Sequence, residues 1–136
     1  MDDFRQMINY DEVTSEDTVA LARIAAEAVR GLNHLTGHDA LLGQPAAAYD
    51  IIAALAQAAS RLPQLIAQLT RYLDTALAAG RLGHDCGEDP AFSVHGTGIF
   101  LDDARGSAAA LAGHLNEAQQ QLAAVNGNPA TIKEHS

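Results

Sequence analysis

Residues 46–79, AAAYDIIAALAQAASRLPQLIAQLTRYLDTALAA, decide the fold of this chain. They lie between two residues that commonly mark the ends of helices, Pro45 and Gly80. Their apolar residues recur in alternating steps of four and three, which is the repeat of a helix that packs along one side against other helices. The residues of this first apolar line are Ile51, Leu55, Ala58, Leu62, Leu65, Leu69, Tyr72 and Ala76. The sequence therefore predicts a long central helix.

Pro63 stands in the middle of this central helix. A proline inside a helix removes one backbone hydrogen bond and clashes with the carbonyl four residues earlier, at a cost of about 3 kcal/mol. The apolar repeat nevertheless keeps its phase on both sides of Pro63. Two interpretations are open: one helix kinked at Pro63, or two helices that meet at residues 60–62.

A shorter helix is predicted before the central one. Thr14 and Asp17 have the spacing of a capping box, in which each side chain bonds to the backbone N–H of the other residue. We expect this helix to begin at Thr14 or Ser15. It should end near residues 33–36, because Gly37 is suited to the left-handed conformation that stops many helices.

A third helix is predicted from Asp89, as the N-terminal cap, to the stop at Asn126-Gly127. Its apolar repeat comprises Val94, Thr97, Leu101, Ala104, Ala108, Leu111, Leu115, Ala118, Leu122 and Val125. Gly96 and Gly98 interrupt its beginning, and each glycine costs about 1 kcal/mol relative to alanine inside a helix. We expect the first two turns to fray or to form a separate short helix.

These elements predict an all-α fold, an antiparallel bundle of three long helical segments with the central one kinked or broken at Pro63. The bundle should occupy residues 14–126, preceded by a flexible N-terminal arm at residues 1–13. Residues 127–136 are predicted to form a disordered tail.

A second apolar line on the central helix predicts a protein interface. Its residues are seven apart and lie beside the first line: Ile52, Ala59, Ile66 and Leu73. Two lines require two neighbours, and a first helix of about 30 Å is too short to cover helices of about 50 Å. We expect the uncovered part to bind another copy, completing a four-helix bundle of coiled-coil type. On this interpretation Leu65→Asp unfolds the protein, whereas Leu73→Asp mainly breaks the association.

Composition limits the other partners. A net charge of −9 argues against direct nucleic-acid binding, which requires concentrated positive charge. No apolar run approaches the roughly 18 residues of a membrane span. The N-terminus lacks the pattern of a secretion signal, and Cys86 is the only cysteine, so we expect a soluble protein of the reducing cytoplasm.

No group of residues predicts catalysis, a cofactor or a metal site. The only spacings typical of metal ligands are His34 with His38 and His84 with Cys86. Because His38 follows the predicted stop at Gly37, we expect it not to share a helical face with His34. Neither spacing is diagnostic of zinc, so these histidines are interpreted as exposed side chains.

The segment SRLPQLIAQL at residues 60–69, with the Ala- and Leu-rich last helix, resembles a set of small uncharacterised helical proteins of actinobacteria. That resemblance implies no activity. The sequence thus predicts a non-enzymatic interaction or assembly protein, which self-associates or binds a protein partner through apolar helix faces. The alternative is an acidic regulator, a DNA mimic that occupies a basic site on a nucleic-acid-binding protein.

Overall fold

A computed structural model describes residues 12–38 and 42–127. Within these ranges the chain forms three long α-helices and no strand, which confirms the predicted all-α helical bundle. The helices are α1 (Ser15–Thr36), α2 (Pro45–Ala78) and α3 (Ala91–Leu122). The predicted arm and tail lie outside the described residues, except for residues 12, 13 and 127.

The chain divides into two compact units, Met1–Gly43 with α1 and Gln44–Ser136 with α2 and α3. In the first unit the predicted capping box is present. The backbone N–H of Asp17 donates to Thr14 Oγ1 over 3.2 Å, and the backbone N–H of Thr14 donates to Asp17 Oδ2 over 3.1 Å. These two bonds satisfy backbone donors at the start of α1, which explains why the helix begins at Ser15.

The end of α1 differs from the sequence prediction at Gly37. This glycine is right-handed, with φ −69° and ψ −9°, and its N–H donates to the carbonyl of Leu35. The helix therefore ends without a left-handed residue at Gly37. The expectation for His38 is also wrong, since the rings of His34 and His38 meet edge to face with centroids 5.3 Å apart.

Helix α2 is continuous across Pro63, so the interpretation with two separate helices is excluded. Pro45 occupies its first turn as predicted, where the missing N–H of proline costs no hydrogen bond. The chain leaves the helix through Gly80, whose φ of +70° is open to glycine at little cost.

Helix α3 begins at Ala91 with Pro90 directly before it, and Asp89 Oδ1 accepts a 2.9 Å hydrogen bond from the N–H of Ala91. It then continues through Gly96 and Gly98 to Leu122. The prediction of a frayed or separate first segment is wrong. Both glycines are partly buried, and packing of this kind stabilises helices whose local propensity is weak.

Helices α2 and α3 pack as an antiparallel hairpin with a constant register. Tyr49 Oη near the start of α2 accepts a 3.1 Å hydrogen bond from the amide Nε2 of Gln119 near the end of α3. Further along, Pro63 lies beside Arg105, and Thr70 lies beside Gly98. The six buried residues of the described chain all belong to this hairpin, and five are alanines: Ala56, Ala59, Ala76, Val94, Ala108 and Ala112.

Candidate protein interaction surface

The structure divides the apolar residues of α2 differently from the sequence prediction, since the middle of the first line is exposed, while Ala76 at its end is buried. Ala59, on the second line, is only 3% exposed, and Ile66 of the same line is half-buried beside Leu101 of α3. On the first line, Leu65 and Leu69 are each 49% exposed. The second line therefore packs inside the hairpin, while much of the first line faces solvent.

This arrangement changes the expected role of the predicted interface residues. Ile52, Ala59, Ile66 and Leu73 are buried or half-buried. Ala59 has almost no surface left for a partner, because the neighbouring helix already covers it. The expectation that Leu65 belongs to the internal seam is wrong, since half of its surface is open. An aspartate at Leu65 would point to water rather than into the packed hairpin.

The apolar repeat of α3 is divided lengthwise in a similar way. Every second member is buried or half-buried, in the row Val94, Leu101, Ala108, Leu115 and Leu122. The members between them are exposed, in the row Thr97, Ala104, Leu111, Ala118 and Val125. The apolar repeat of α3, with members three and four residues apart, thus supplies one row to the contact with α2 and one row to the surface.

The exposed rows of α2 and α3 lie on the same side of the hairpin. Each helix turns about 100° per residue, so positions can be measured as rotations from the inward residues Ala59 and Ala108. Leu65 and Leu69, measured from Ala59, and Leu111, measured from Ala108, are all rotated in the same direction about their helix axes. In an antiparallel pair of right-handed helices, equal senses lead to the same side. Ala67 and Arg105, reached by the opposite sense, do lie together on the other side.

We call this surface the apolar face. It comprises five residues from α2 and five from α3: Ala58, Leu62, Leu65, Leu69, Tyr72, Gly96, Phe100, Ala104, Ser107 and Leu111. Tyr72 is 59% exposed and Phe100 is 75% exposed, although aromatic side chains contribute most when they are buried. Three charged residues of α2, Asp50, Arg71 and Asp74, lie away from the face, and Arg61 lies at its edge, one turn before Leu65. Exposed apolar surface of this continuity is typical of a site where another protein binds.

The opposite side of the hairpin is polar and notched. A groove of about 160 Å³ lies there, lined by residues that include Ile66, Thr70, Gly98 and Asp102. Arg105 donates to Asp102 Oδ1 over 2.6 Å at this groove, and both side chains are largely exposed. The two sides of the hairpin therefore differ in chemistry, one with an ion pair and the other with leucine and aromatic side chains.

The loop between α2 and α3 carries the residues with spacing typical of metal ligands. The backbone N–H of Cys86 donates to Nδ1 of His84 over 3.1 Å, so this imidazole nitrogen is already engaged as an acceptor. Cys86 is exposed. Across residues 12–38 and 42–127, no three His, Cys, Asp or Glu side chains come together as a metal site.

None of the helices in the described ranges has the length and apolar character needed to cross a lipid bilayer. The fold and the surface define the class of this chain as an all-α protein with an antiparallel hairpin that exposes an apolar face. Large apolar side chains are also exposed elsewhere, as at Ile24 of α1 and Phe92 of α3. Comparison with protein-family models, curated proteins and solved structures gives no significant match. The resemblance to small actinobacterial helical proteins stays a prediction.

Proposed function

We propose that this protein is a non-enzymatic interaction or assembly protein that engages a protein partner through the apolar face. One observation carries the proposal: the hairpin buries alanine while leaving leucine, tyrosine and phenylalanine exposed. Burial stabilises in proportion to apolar area, so the largest remaining gain in stability lies in covering this face. A partner that presents apolar helix surface would supply that cover.

The size of the effect is sufficient for stable binding. Large side chains present about 150–250 Å² when fully exposed, so the open parts of the face amount to on the order of 600 Å². At about 25 cal/mol per Å², covering that area is worth on the order of 15 kcal/mol before the costs of association. Those costs are commonly about 4–15 kcal/mol, so the gain from covering the face is at least of the size that association requires.

The alternative function is an acidic regulator that mimics DNA on a basic protein site. Its support is the net charge of −9. On α2 the charged side chains are few and of both signs: Asp50, Arg61, Arg71 and Asp74. Charge-driven binding weakens steeply with salt, whereas apolar docking does not, so salt separates the two functions. We also propose the cytoplasm as the site of action, because the chain uses only one cysteine.

The experiment is affinity capture from the native cell extract at low and high salt. Three baits are compared: wild type, the double variant Leu65→Asp with Leu69→Asp, and the control Gln64→Asp. The double variant places two charges on the apolar face. Gln64 is exposed, and none of the residues three or four positions from it belongs to the face, so its variant adds charge away from the face.

We expect wild type and the Gln64→Asp control to retain the same protein at both salt concentrations, and the double variant to lose it. Binding that disappears at high salt and survives the double variant would support the acidic regulator instead. Capture of no protein, neither a second copy nor another chain, would contradict the proposal.

A further inference from the structure

We propose that the partner on the apolar face is a second copy of this chain. Two hairpins pack face to face about a two-fold axis parallel to their helices, so that α2 of each copy lies on α3 of the other. This inference rests on the proposed function and names its partner. Two features of the face support it: its area and the pattern of large and small residues along it.

The exposed area is close to what a dimer of this kind needs. The open parts of the face amount to on the order of 600 Å² per chain, and a standard stable interface buries about 800 Å² per partner. The exposed parts of neighbouring side chains in the outer row of α3, such as Ala118 and Val125, extend the area further. Each copy therefore exposes most of the area that one partner contributes to a standard interface.

The face runs from Ala58 to Tyr72 on α2 and from Gly96 to Leu111 on α3, which is about 20 Å at 1.5 Å per residue. A second copy of the hairpin presents an apolar face of the same length, because it is the same element.

Residue sizes on the face determine how two copies fit. The register of the hairpin, set by Tyr49 with Gln119 and by Thr70 with Gly98, shows which residues lie at the same height. At four heights a larger residue on one helix stands beside a smaller residue on the other. These pairs are Ala58 with Leu111, Leu62 with Ser107, Leu65 with Ala104, and Tyr72 with Gly96.

A two-fold axis along the helices turns these neighbours into contacts. Each residue of α2 then faces the residue of the same height on α3 of the other copy, so Leu65 meets a partner alanine and Tyr72 meets a partner glycine. Leu69 meets Phe100, which adds an aromatic contact near the loop. An axis across the helices would instead place α2 on α2, with Leu62 against its own equivalent. Interdigitation of large with small residues favours the first arrangement.

The first test is the mass of the full-length pure protein by light scattering across a range of concentrations. Wild type and the Gln64→Asp control should reach about 28 kDa, twice the 14.2 kDa of one chain. The variant Leu65→Asp with Leu69→Asp should raise the dimer Kd by on the order of 100-fold while keeping its helical circular dichroism. If that variant fails to fold, Phe100→Asp on α3 serves the same purpose.

The second test measures the arrangement through Cys86, the single cysteine of the chain, which is exposed in the loop between α2 and α3. A nitroxide label on Cys86 allows the distance between copies to be measured by pulsed electron spin resonance. The two-fold axis along the helices brings both loops to the same end, so the expected distance is below about 30 Å. Dilution with unlabelled Cys86→Ser chains should remove the signal.

Each outcome bears on a different part of the inference. A mass of 14.2 kDa at every concentration would overturn the dimer. If the capture experiment still recovers another protein through the apolar face, the proposed function survives and only its partner changes. A dimer with labels separated by the length of the hairpin, about 50 Å or more, would overturn the arrangement. A dimer that is unaffected by charges on the face would place the interface elsewhere.

Discussion

The two sides of α2 differ in the size of their apolar residues. The side toward α3 is built around alanines such as Ala56 and Ala59, which are each 3% exposed. The side on the apolar face carries Leu62, Leu65 and Leu69, which remain partly open. Small residues allow two helix backbones to approach closely, and large residues provide area for a further partner. In this hairpin, small apolar residues therefore form the contact between the two helices, and large apolar residues form the surface that is open to a partner.

The strongest test of the difference between the two sides of α2 places the same charge on two adjacent residues. Ala59→Asp buries a carboxylate between α2 and α3 and should destabilise the hairpin by about 3–5 kcal/mol. Ala58→Asp puts the carboxylate on the exposed apolar face and should leave the helical fold of the monomer intact. Urea denaturation followed by circular dichroism measures both. Equal losses of stability would contradict the assignment of inner and outer sides.

Thermal denaturation at several protein concentrations gives the next largest effect. Binding of a second copy stabilises the folded state by mass action, by about 2.7 kcal/mol when the concentration is 100 times the Kd. The melting temperature of wild type should therefore rise with concentration. That of the Leu65→Asp, Leu69→Asp variant should stay constant over the same range. A wild-type melting temperature that does not change with concentration would argue that the apolar face is not covered by self-association.

Two glycine substitutions separate helix propensity from turn geometry. Gly113 lies within α3, and an added Cβ there meets no atom within 4 Å, so Gly113→Ala should stabilise the hairpin by about 0.5–1 kcal/mol. Gly80→Ala should destabilise it by about 1 kcal/mol, because Gly80 has a φ of +70°. Denaturation midpoints measure both shifts. A loss of stability in Gly113→Ala would indicate a contact at that side of α3.

The smallest effect is expected on the polar side of the hairpin. Arg105→Ala removes the exposed ion pair with Asp102 and should change stability by less than about 1 kcal/mol. It should leave the dimer mass unchanged, because Arg105 lies opposite the apolar face. Light scattering of this variant next to wild type is the check. A monomeric Arg105→Ala protein would mean that the polar side takes part in association.

Local signals in the sequence predicted the helices well. The Thr14 and Asp17 capping box, Pro45 in a first helical turn and Asp89 before α3 each act on the backbone of their own residues, and each is present in the structure. The unbroken phase of the apolar repeat around Pro63 agrees with the single helix that the structure shows there.

The side of each helix that faces inward could not be predicted from periodicity. Both lines of α2 have helical spacing, and size alone favoured the leucine-rich line containing Leu65. The structure buries the line containing Ala59, because close approach to Ala108 of α3 depends on small residues. The signal that was present is the coincidence of alanines on α2 and α3 at matching heights. That coincidence becomes visible only once the register is known.

The most direct test of the central claim is sedimentation equilibrium of the unmodified full-length chain at micromolar to millimolar concentration. Burial of the apolar face by a second copy predicts a mass that rises to about 28 kDa, twice the 14.2 kDa of one chain. A mass that stays at 14.2 kDa throughout this range would contradict it.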